Sequence, residues 1–327
     1  MKRREFLHKS AIIGGVITLP WSLSSNVEAK SAKTTRIGLI ADLHQDIMHD
    51  GMERLTSFIE HAHRSKARMI IQMGDFCIPE KKNEALMKVW RKFNDPAYHI
   101  LGNHDMDGGH TREETTEFLA MPGKYYSFDH HGYHFIILDG NDPNPKPWSG
   151  YNRYIGKEQQ EWLYQDLAKT KLNTFIFSHQ TMENEEGGVA NFLEIREILE
   201  KANEAAGETK VVACFSGHHH TDYMTNINGI YYIQINSASY RWVGEEFQHI
   251  RYSEAIDKKY PWIKYTIPYK DPLFTFLEID PQGILKLDPR ETEFVGPGPE
   301  ELGMPQSTEN DPVVPKISGF NFEFEKI

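Results

Sequence analysis

Five clusters of polar residues, each directly after a short apolar segment, constrain this chain more than any other feature of its sequence. The apolar segments are typical of buried strands, and the Asp and His side chains in the clusters bind metals or transfer protons. Because open α/β sheets place their sites at the carboxyl ends of parallel strands, we expect the clusters to converge on one sheet edge. The clusters are Asp42-Leu43-His44 after a predicted strand at 36–41, Gly74-Asp75 after 68–73, Gly102-Asn103-His104-Asp105 after 97–101, Ser178-His179 after 173–178 and Gly217-His218-His219-His220 after 210–216.

Strands and amphipathic helices alternate along the chain, and this order predicts an α/β fold with parallel strands. Two packed sheets with helices outside would accommodate all of the predicted elements. Besides the five strands, these elements are helices at 52–64, 84–93, 157–169 and 191–206, a strand pair at 125–128 and 133–138, two strands around Asn228-Gly229, and a late hairpin that turns at 280–283.

Residues 1–29 have the pattern of an export signal. Lys2, Arg3 and Arg4 are basic, an apolar run covers 11–19, and small residues at 27–29 offer a cleavage site. The apolar run is shorter than the ~20 residues that a membrane-spanning helix needs. The paired arginines followed by an apolar pair resemble the twin-arginine export signal, with an ordinary secretory signal as the alternative. We therefore expect an exported protein, periplasmic or secreted, whose mature form has no membrane span.

The rest of the chain is predicted to form one catalytic domain over 30–294 and a Pro/Gly-rich C-terminal tail over 295–327 that lies along the surface. Within the domain, 240–272 is an aromatic-rich excursion. It is either a flap beside the site or, as we prefer, a small satellite core. Asp139 and Asn141 are predicted to form a turn, and Arg153 in the loop 148–154 is either a phosphate contact or part of an exposed connector.

The charge of the chain restricts its partners. With 47 acidic and 36 basic residues the formal net charge is −11, which disfavours general nucleic-acid binding. A small phosphate ester remains a suitable partner because bound cations reverse the field locally. The sequence makes no prediction about the oligomeric state.

The ligand chemistry favours transition-metal ions. Imidazole and carboxylate together suit Mn, Fe or Zn, and no Cys pair is available for a structural zinc site. Cys77 and Cys214 are predicted to be small buried hydrophobic residues, although the sequence leaves a disulfide between them open. The other histidines are predicted to be structural or on the surface, with His99 in the core and His219 pointing away from its two neighbours.

The ordered blocks D-x-H, G-D, G-N-H-D, a lone His and G-H-x-H, which extend over residues 42–220, resemble the calcineurin-like metallophosphoesterases. The resemblance implies two mixed β-sheets packed face to face, with helices on both outer faces. It also implies roles for individual residues. In these roles Asp42, His44 and His220 bind the first metal, Asn103, His179 and His218 bind the second, Asp75 bridges both, His104 is the general acid and Asp105 orients it.

Two cations about 3.5–4 Å apart can hold a bridging hydroxide for in-line attack on phosphorus, and a general acid can add about 10²–10⁴-fold. Ile78 stands where purple acid phosphatases carry a tyrosine, which argues against a tyrosinate–iron site. The helix at 157–169, with Gln159, Gln160 and Trp162, resembles the diesterase and diphosphatase branches and favours a phosphodiesterase or pyrophosphatase. A phosphomonoesterase, nucleotidase-like or acid-phosphatase-like, is the alternative, and a non-catalytic binding module on the same fold is a third.

Overall fold

The computed structural model describes residues 33–305, 308 and 311–327, so the predicted export signal at 1–29 lies outside the described residues. Six α-helices are described, and the four that were predicted begin and end within three residues of the predicted positions. The helices are α1 Gly51–Arg64, α2 Glu84–Trp90, α3 Arg112–Phe118, α4 Lys157–Lys169, α5 Phe192–Ala206 and α6 Glu254–Lys259.

Sixteen strands are described, and twelve of them form two six-stranded sheets. The strands are β1 Thr35–Ile40, β2 Met69–Gln72, β3 Ala97–His99, β4 Tyr126–His130, β5 Tyr133–Ile137, β6 Thr174–Phe177, β7 Val211–Ser216, β8 Tyr223–Ile227, β9 Ile230–Gln234, β10 Tyr240–Trp242, β11 Thr266–Pro268, β12 Thr275–Ile279, β13 Ile284–Leu287, β14 Arg290–Glu291, β15 Lys316–Ile317 and β16 Phe320–Glu323.

The first sheet has the order β16-β13-β12-β1-β2-β3 and the second has the order β4-β5-β6-β7-β9-β8. In the first sheet, β1, β2 and β3 run parallel. In the second, β5, β6, β7 and β9 run parallel. The antiparallel strands lie at the edges of these parallel blocks, so both sheets are mixed as the resemblance implied.

Alternating side chains divide each central strand between two cores, because successive strand residues point to opposite faces. On β1, Ile37 and Leu39 pack into the core between the sheets, whereas Ile40 packs against α1 and α2. On β5, Phe135 packs into the central core and Ile136 packs against α4 and α5. The result is the predicted four-layer arrangement of helices, sheet, sheet and helices.

The chain after Val295 differs from the prediction. We expected a surface tail, yet β16 pairs with β13 and completes the first sheet at its edge. Phe322 on β16 stacks on Tyr231 with ring centroids 3.6 Å apart. The end of the chain therefore belongs to the folded core.

Cys77 and Cys214 are free thiols and both are buried, which confirms their prediction as small buried hydrophobic residues. None of the helices in the described part of the chain has the length and apolar character that a membrane-crossing helix requires.

Candidate metal centre

The polar clusters after β1, β2, β3, β6 and β7 meet where the carboxyl ends of the two sheets face each other. Backbone hydrogen bonds join the loops: the Asp42 N–H donates to the Gly74 carbonyl (3.1 Å), and the Gly217 N–H donates to the His179 carbonyl (3.0 Å). Between the sheets, the His218 N–H donates to both carboxylate oxygens of Asp42 at 3.1 Å. The five clusters thus converge as predicted, but they come from two sheets and not from the edge of one.

Five of the predicted metal ligands have left-handed backbone conformations, which residues other than glycine adopt rarely. Each such conformation costs about 1–3 kcal/mol and persists only where the surroundings enforce it, usually at a functional site. The five residues and their φ angles are Asp42 at 53°, His44 at 48°, Asp75 at 53°, His218 at 68° and His220 at 51°.

One group of possible ligand atoms comes from Asp42, His44 and His220, all of them buried. The two imidazole Nε2 atoms are 3.1 Å apart, and His220 Nε2 lies 3.2 Å from Asp42 Oδ1. These three ligand-type atoms lie within 4.8 Å of one another. Such an arrangement suits one cation with nitrogen and oxygen ligands.

A second group comes from Asp75, His179 and His218. His179 Nε2 lies 3.1 Å from Asp75 Oδ2 and 3.2 Å from His218 Nδ1. The same Oδ2 atom lies 3.6 Å from His44 Nε2 in the first group. Asp75 therefore stands between the two groups, the position from which one carboxylate can bridge two cations.

In two histidines, a hydrogen bond from Nδ1 to the backbone determines that Nε2 faces the site. His179 Nδ1 donates to the Met73 carbonyl at 2.9 Å, and His220 Nδ1 donates to the Tyr240 carbonyl at 2.7 Å. A neutral imidazole that donates through Nδ1 presents the Nε2 lone pair on its other side. Metal-binding histidines are commonly held by such an outer hydrogen bond.

Asn103 supplies a further sign that the site is built for a cation. Its side chain is buried, and its Oδ1 atom has no hydrogen-bond partner among the described residues. Leaving a buried carbonyl oxygen unpaired costs about 1–3 kcal/mol, so native proteins rarely do so. A cation coordinated by this oxygen would remove the cost, and the residues present therefore fit the metals that the sequence implied.

The pKa values of the buried groups indicate a site that attracts positive charge. Burial lowers the pKa of His179, but the carboxylates of Asp75 and Asp42 outweigh burial and raise it to about 9. Burial raises the pKa of Asp75, yet His179 and His104 hold it well below its usual value. Burial also holds the pKa of His44 well below its usual value. The carboxylates of this site therefore favour positive charge at its centre.

His104 lies beside the metal-binding residues without belonging to either group. Its ring meets the His44 ring edge-on at 5.1 Å, and its backbone N–H donates to Asp75 Oδ1 at 2.8 Å. Burial lowers the pKa of His104, but Asp75 and Asp107 raise it to about 9. These carboxylates therefore favour the protonated form of the ring.

The prediction that Asp105 orients His104 is wrong. The Asp105 carboxylate accepts hydrogen bonds from the backbone N–H groups of Phe76 (2.6 Å) and Gly102 (2.8 Å), so it holds two loops together. His104 Nδ1 instead contacts Asp107 Oδ2 at 2.7 Å. Tyr151, which sequence reasoning missed, donates from its hydroxyl to Asp107 Oδ1 at 2.8 Å. Asp107 thus connects the Tyr151 hydroxyl to the imidazole.

We expect Asp107→Asn to lower kcat roughly tenfold on a substrate with a poor leaving group while KM changes little. The amide keeps the shape of Asp107 but loses the charge that holds the proton on His104. Steady-state kinetics that separate kcat from KM test this expectation. Asp129→Asn is a matched control because Asp129 contacts His134 Nδ1 at 2.6 Å outside the site. An unchanged kcat in Asp107→Asn would remove Asp107 from the reaction.

Gly102 is predicted to be intolerant of any side chain. A Cβ atom there would overlap the backbone nitrogen and the Oδ1 atom of Asp75. We expect Gly102→Ala to displace Asp75 and to weaken metal binding by about 10–100-fold. Gly123→Ala is the control, since its backbone is not left-handed and a Cβ atom there would make only an ordinary contact with the Tyr125 carbonyl oxygen at 3.5 Å. Calorimetric titration with Mn²⁺ compares the two, and equal affinities would show that Asp75 does not need this close approach.

A cavity of about 820 Å³ opens above the two groups. Its floor includes His44, Asp75, His218 and His220, and its walls include His104, Asp107 and Tyr151. Tyr240, Trp242 and Trp262 from the 240–272 segment also line it. His219 belongs to neither group of ligand atoms, as predicted, but it lines the cavity, which was not predicted.

The other polar residues that the sequence analysis singled out lie outside the cavity. Asp139 Oδ1 accepts the Asn141 N–H at 3.0 Å, which is the predicted turn, and Asp139 also pairs with Arg112. Arg153 donates to the Glu185 carbonyl and packs over the Trp148 ring, so it is part of the connector. His99 is buried in the core as predicted.

Comparison with known proteins gives a family match. The model of the calcineurin-like phosphoesterase family matches residues 35–222, more than half of the chain. The matched region begins at β1 and ends just after His220, so it contains all seven predicted metal ligands.

Two plant proteins are similar in sequence. The manganese-dependent ADP-ribose/CDP-alcohol diphosphatase of Arabidopsis thaliana is 26% identical over 230 residues, which cover 52% of this chain and 71% of the relative. The protein of the same name from Oryza sativa subsp. japonica is 25% identical over 221 residues, which cover 51% of this chain and 68% of the relative.

Two solved structures share the fold. A dimetal phosphatase from Danio rerio has a TM-score of 0.56 and 13% identity, with coverage of 80% of this chain and 98% of that chain. GAP50 of Plasmodium, the anchor in the inner membrane complex, has a TM-score of 0.55 and 14% identity, with 90% of each chain covered. At these identities the likeness concerns the fold alone.

Proposed function

Because the chain belongs to the calcineurin-like phosphoesterase family and is a metal-dependent phosphoric ester hydrolase, we propose that it cleaves the diphosphate bond of small molecules. The observation that carries this proposal is the pair of ligand groups that share Asp75 on the floor of a large cavity. Both plant relatives are named as diphosphatases, which supports diphosphate compounds as the substrate class.

Seven side chains would hold two cations in the proposed site. Asp42, His44 and His220 would hold one and Asn103, His179 and His218 the other, with Asp75 between them. When bound, the cations would activate a water molecule and neutralise charge on the phosphoryl oxygens. We propose Mn²⁺ as the native metal because both plant relatives are named as manganese-dependent and the ligand set combines imidazole, carboxylate and amide oxygen.

His104 would protonate the leaving oxygen in this reaction. Its ring lies at the cavity wall next to His44, with Nδ1 held by Asp107. A ring fixed through Nδ1 presents Nε2 as the nitrogen available to a substrate. Electrostatic stabilisation by the floor of the cavity and proton donation by His104 together describe a hydrolase that needs no covalent intermediate on the protein.

The size of the cavity supports a substrate larger than a simple phosphate monoester. Small-molecule sites commonly enclose about 300–1,000 Å³, and the cavity of about 820 Å³ lies in the upper part of this range. A diphosphate with a group on each side would fill it better than a phosphate on a small alcohol. The net charge of −11 disfavours long polyanions, which leaves small diphosphate compounds.

A metal-reconstituted assay tests the proposal. The protein without residues 1–29 is loaded with Mn²⁺, and the hydrolysis of ADP-ribose and CDP-choline is compared with that of AMP, a monoester, by kcat/KM. We expect both diphosphates to be hydrolysed at least tenfold more efficiently than AMP. A preference for AMP would replace the proposal with a phosphomonoesterase, and inactivity on all three compounds after full metal loading would point to a binding module.

We also propose that the protein is exported through its first 29 residues, by the twin-arginine route. The basic residues Arg3 and Arg4, the apolar run and the small residues at 27–29 support this proposal. Replacing both arginines by lysine should leave the protein in the cytoplasm, as measured by cell fractionation. Unchanged export of that variant would favour an ordinary secretory signal.

A further inference from the structure

Exposed aromatic side chains are concentrated at the mouth of the cavity. Trp242 is 45% exposed, Trp262 is 57% exposed and Tyr151 is 45% exposed, and all three line the cavity. Large apolar side chains in water are unfavourable, so several of them around one opening indicate a binding surface. The proposed reaction uses the floor of the cavity and His104, and it gives no role to the two tryptophans.

The two tryptophans belong to a row of rings that starts at the metal centre. Tyr240 packs on His44 with ring centroids 4.9 Å apart, and the Trp242 ring lies 6.5 Å farther along from Tyr240. Tyr265 continues the row between Trp242 (5.9 Å) and Trp262 (5.8 Å). We call Tyr240, Trp242, Tyr265 and Trp262 the aromatic wall.

The aromatic wall stands on a fixed base. Tyr240 is fully buried in a satellite core with Met48 and Ile263, and β10 is hydrogen-bonded to β11. The preferred prediction of a satellite core under the 240–272 segment is therefore confirmed, and the same segment also lines the cavity. A wall held in this way is preorganised, so a ligand that lies against it loses little free energy in ordering the protein.

We propose that the aromatic wall is the subsite for a nucleobase, joined through its sugar to the phosphate that lies on the metal centre. A nucleobase is a flat ring with a π-face, so it stacks on aromatic side chains whichever base it is. The wall begins at His44 with the buried Tyr240, so the groups that follow a phosphate on the floor would reach the exposed ring of Trp242. This inference rests on the proposed function and adds the residues that would select its substrates.

The arrangement of the rings favours a base over an alkylammonium ion. Sites for quaternary ammonium groups surround the cation with several ring faces. Here neighbouring rings from Tyr240 to Trp262 are inclined to one another by 45–53°, at centroid distances of 5.8–6.5 Å. Each half-exposed tryptophan thus offers one flat ring face to the cavity, which suits a planar ligand.

Binding of analogues that cannot be hydrolysed tests the subsite apart from catalysis. The probes are the phosphonates of AMP and of ribose 5-phosphate, in which CH₂ replaces the ester oxygen, together with the phosphonate of phosphocholine. Calorimetry on the Mn²⁺-loaded protein gives Kd for each probe with wild type, Trp242→Ala and Trp262→Ala. Trp262→Phe keeps a ring, and Tyr164→Ala is the control because Tyr164 is 56% exposed on α4 and does not line the cavity.

We expect the AMP analogue to bind roughly 5- to 100-fold more tightly than the ribose analogue in wild type, which is the range for stacking one base. Each Trp→Ala variant should lose much of this difference without changing Kd for the ribose analogue. Trp262→Phe should keep part of it, and Tyr164→Ala should keep all of it. Equal binding of the two analogues in wild type, or a base preference that survives both tryptophan variants, would overturn the subsite.

Two further outcomes separate this inference from the proposed function. If the choline analogue bound most tightly and depended on Trp262, the wall would be a cation site and the inference would be wrong. If base-dependent binding were found in a protein that prefers AMP as substrate, the subsite would hold and only the diphosphatase proposal would fall.

Discussion

Replacing Asp75 by asparagine is expected to lower activity on every phosphate ester by at least about a thousandfold, because it removes the one carboxylate between the two ligand groups. Oδ2 of Asp75 lies 3.1 Å from His179 Nε2 and 3.6 Å from His44 Nε2. An amide at this position keeps the shape and can still accept the His104 N–H through its oxygen. It cannot supply a negative charge to both groups.

The fold should survive this substitution. In the protein without metal, the Asp75 charge is stabilised by His179 and His104, so its neutral replacement should lower the free energy of unfolding while leaving the hydrophobic cores intact. What should also be lost is the stabilisation that Mn²⁺ gives, since a ligand that binds only the folded state stabilises it by RT ln(1 + [L]/Kd) and so raises Tm. Activity and metal-induced stabilisation should therefore disappear together.

Metal content per chain, the rise of Tm with added Mn²⁺, and kcat/KM on ADP-ribose measure these effects. Asp166→Asn is the matched control, since Asp166 pairs with His134 at 2.9 Å outside the cavity and makes no contact with the ligand groups. An Asp75→Asn protein that holds two ions per chain and keeps its activity would mean that the two groups of side chains are not a shared metal centre.

The metal-binding residues were predictable from sequence because their positions follow from local rules. Each lies directly after a strand whose apolar residues alternate between two cores, and parallel strands bring such ends to one sheet edge. Asp42 and His218 come from different sheets, yet both are located by this rule. The left-handed backbone at these positions was not predictable, because it arises from contacts between the loops.

The partner of His104 was missed for a physical reason. His104 begins a short 3₁₀ turn, in which side chains three residues apart lie on the same side, so Asp107 and not the adjacent Asp105 reaches its ring. The spacing of three was a usable signal. No sequence signal identified Tyr151, because it lies in a loop 44 residues after Asp107 and reaches it only in the folded chain.

The C-terminal strand was not predicted because it follows a Pro/Gly-rich stretch with no periodic pattern. Residues 320–323 read Phe-Asn-Phe-Glu, an alternation of apolar and polar residues that is typical of a half-buried strand. The Pro/Gly-rich stretch before it contains no such pattern and dominated the prediction for the whole segment. Pairing with β13 gives this short strand its stability, and sequence periodicity alone does not reveal the partner.

Replacing His104 by glutamine is expected to lower kcat by about 10²–10⁴-fold on a diphosphate with a poor leaving group, while metal content stays at the wild-type level. The reason is that His104 lies at the cavity wall and contacts the ligand groups through its backbone and ring edge, without supplying a ligand atom to either. The loss should concern the proton that the leaving oxygen needs.

A leaving group that departs without a proton provides the decisive comparison. On a p-nitrophenyl ester, His104→Gln should retain much more of the wild-type rate than it does on ADP-ribose, because p-nitrophenolate is stable as an anion. A purely structural role would lower both rates equally. Asp107→Asn should show the same dependence on the leaving group with a smaller loss, since it weakens the hold on the proton without removing the imidazole. Equal losses on both substrates would show that His104 shapes the site and does not act as its acid.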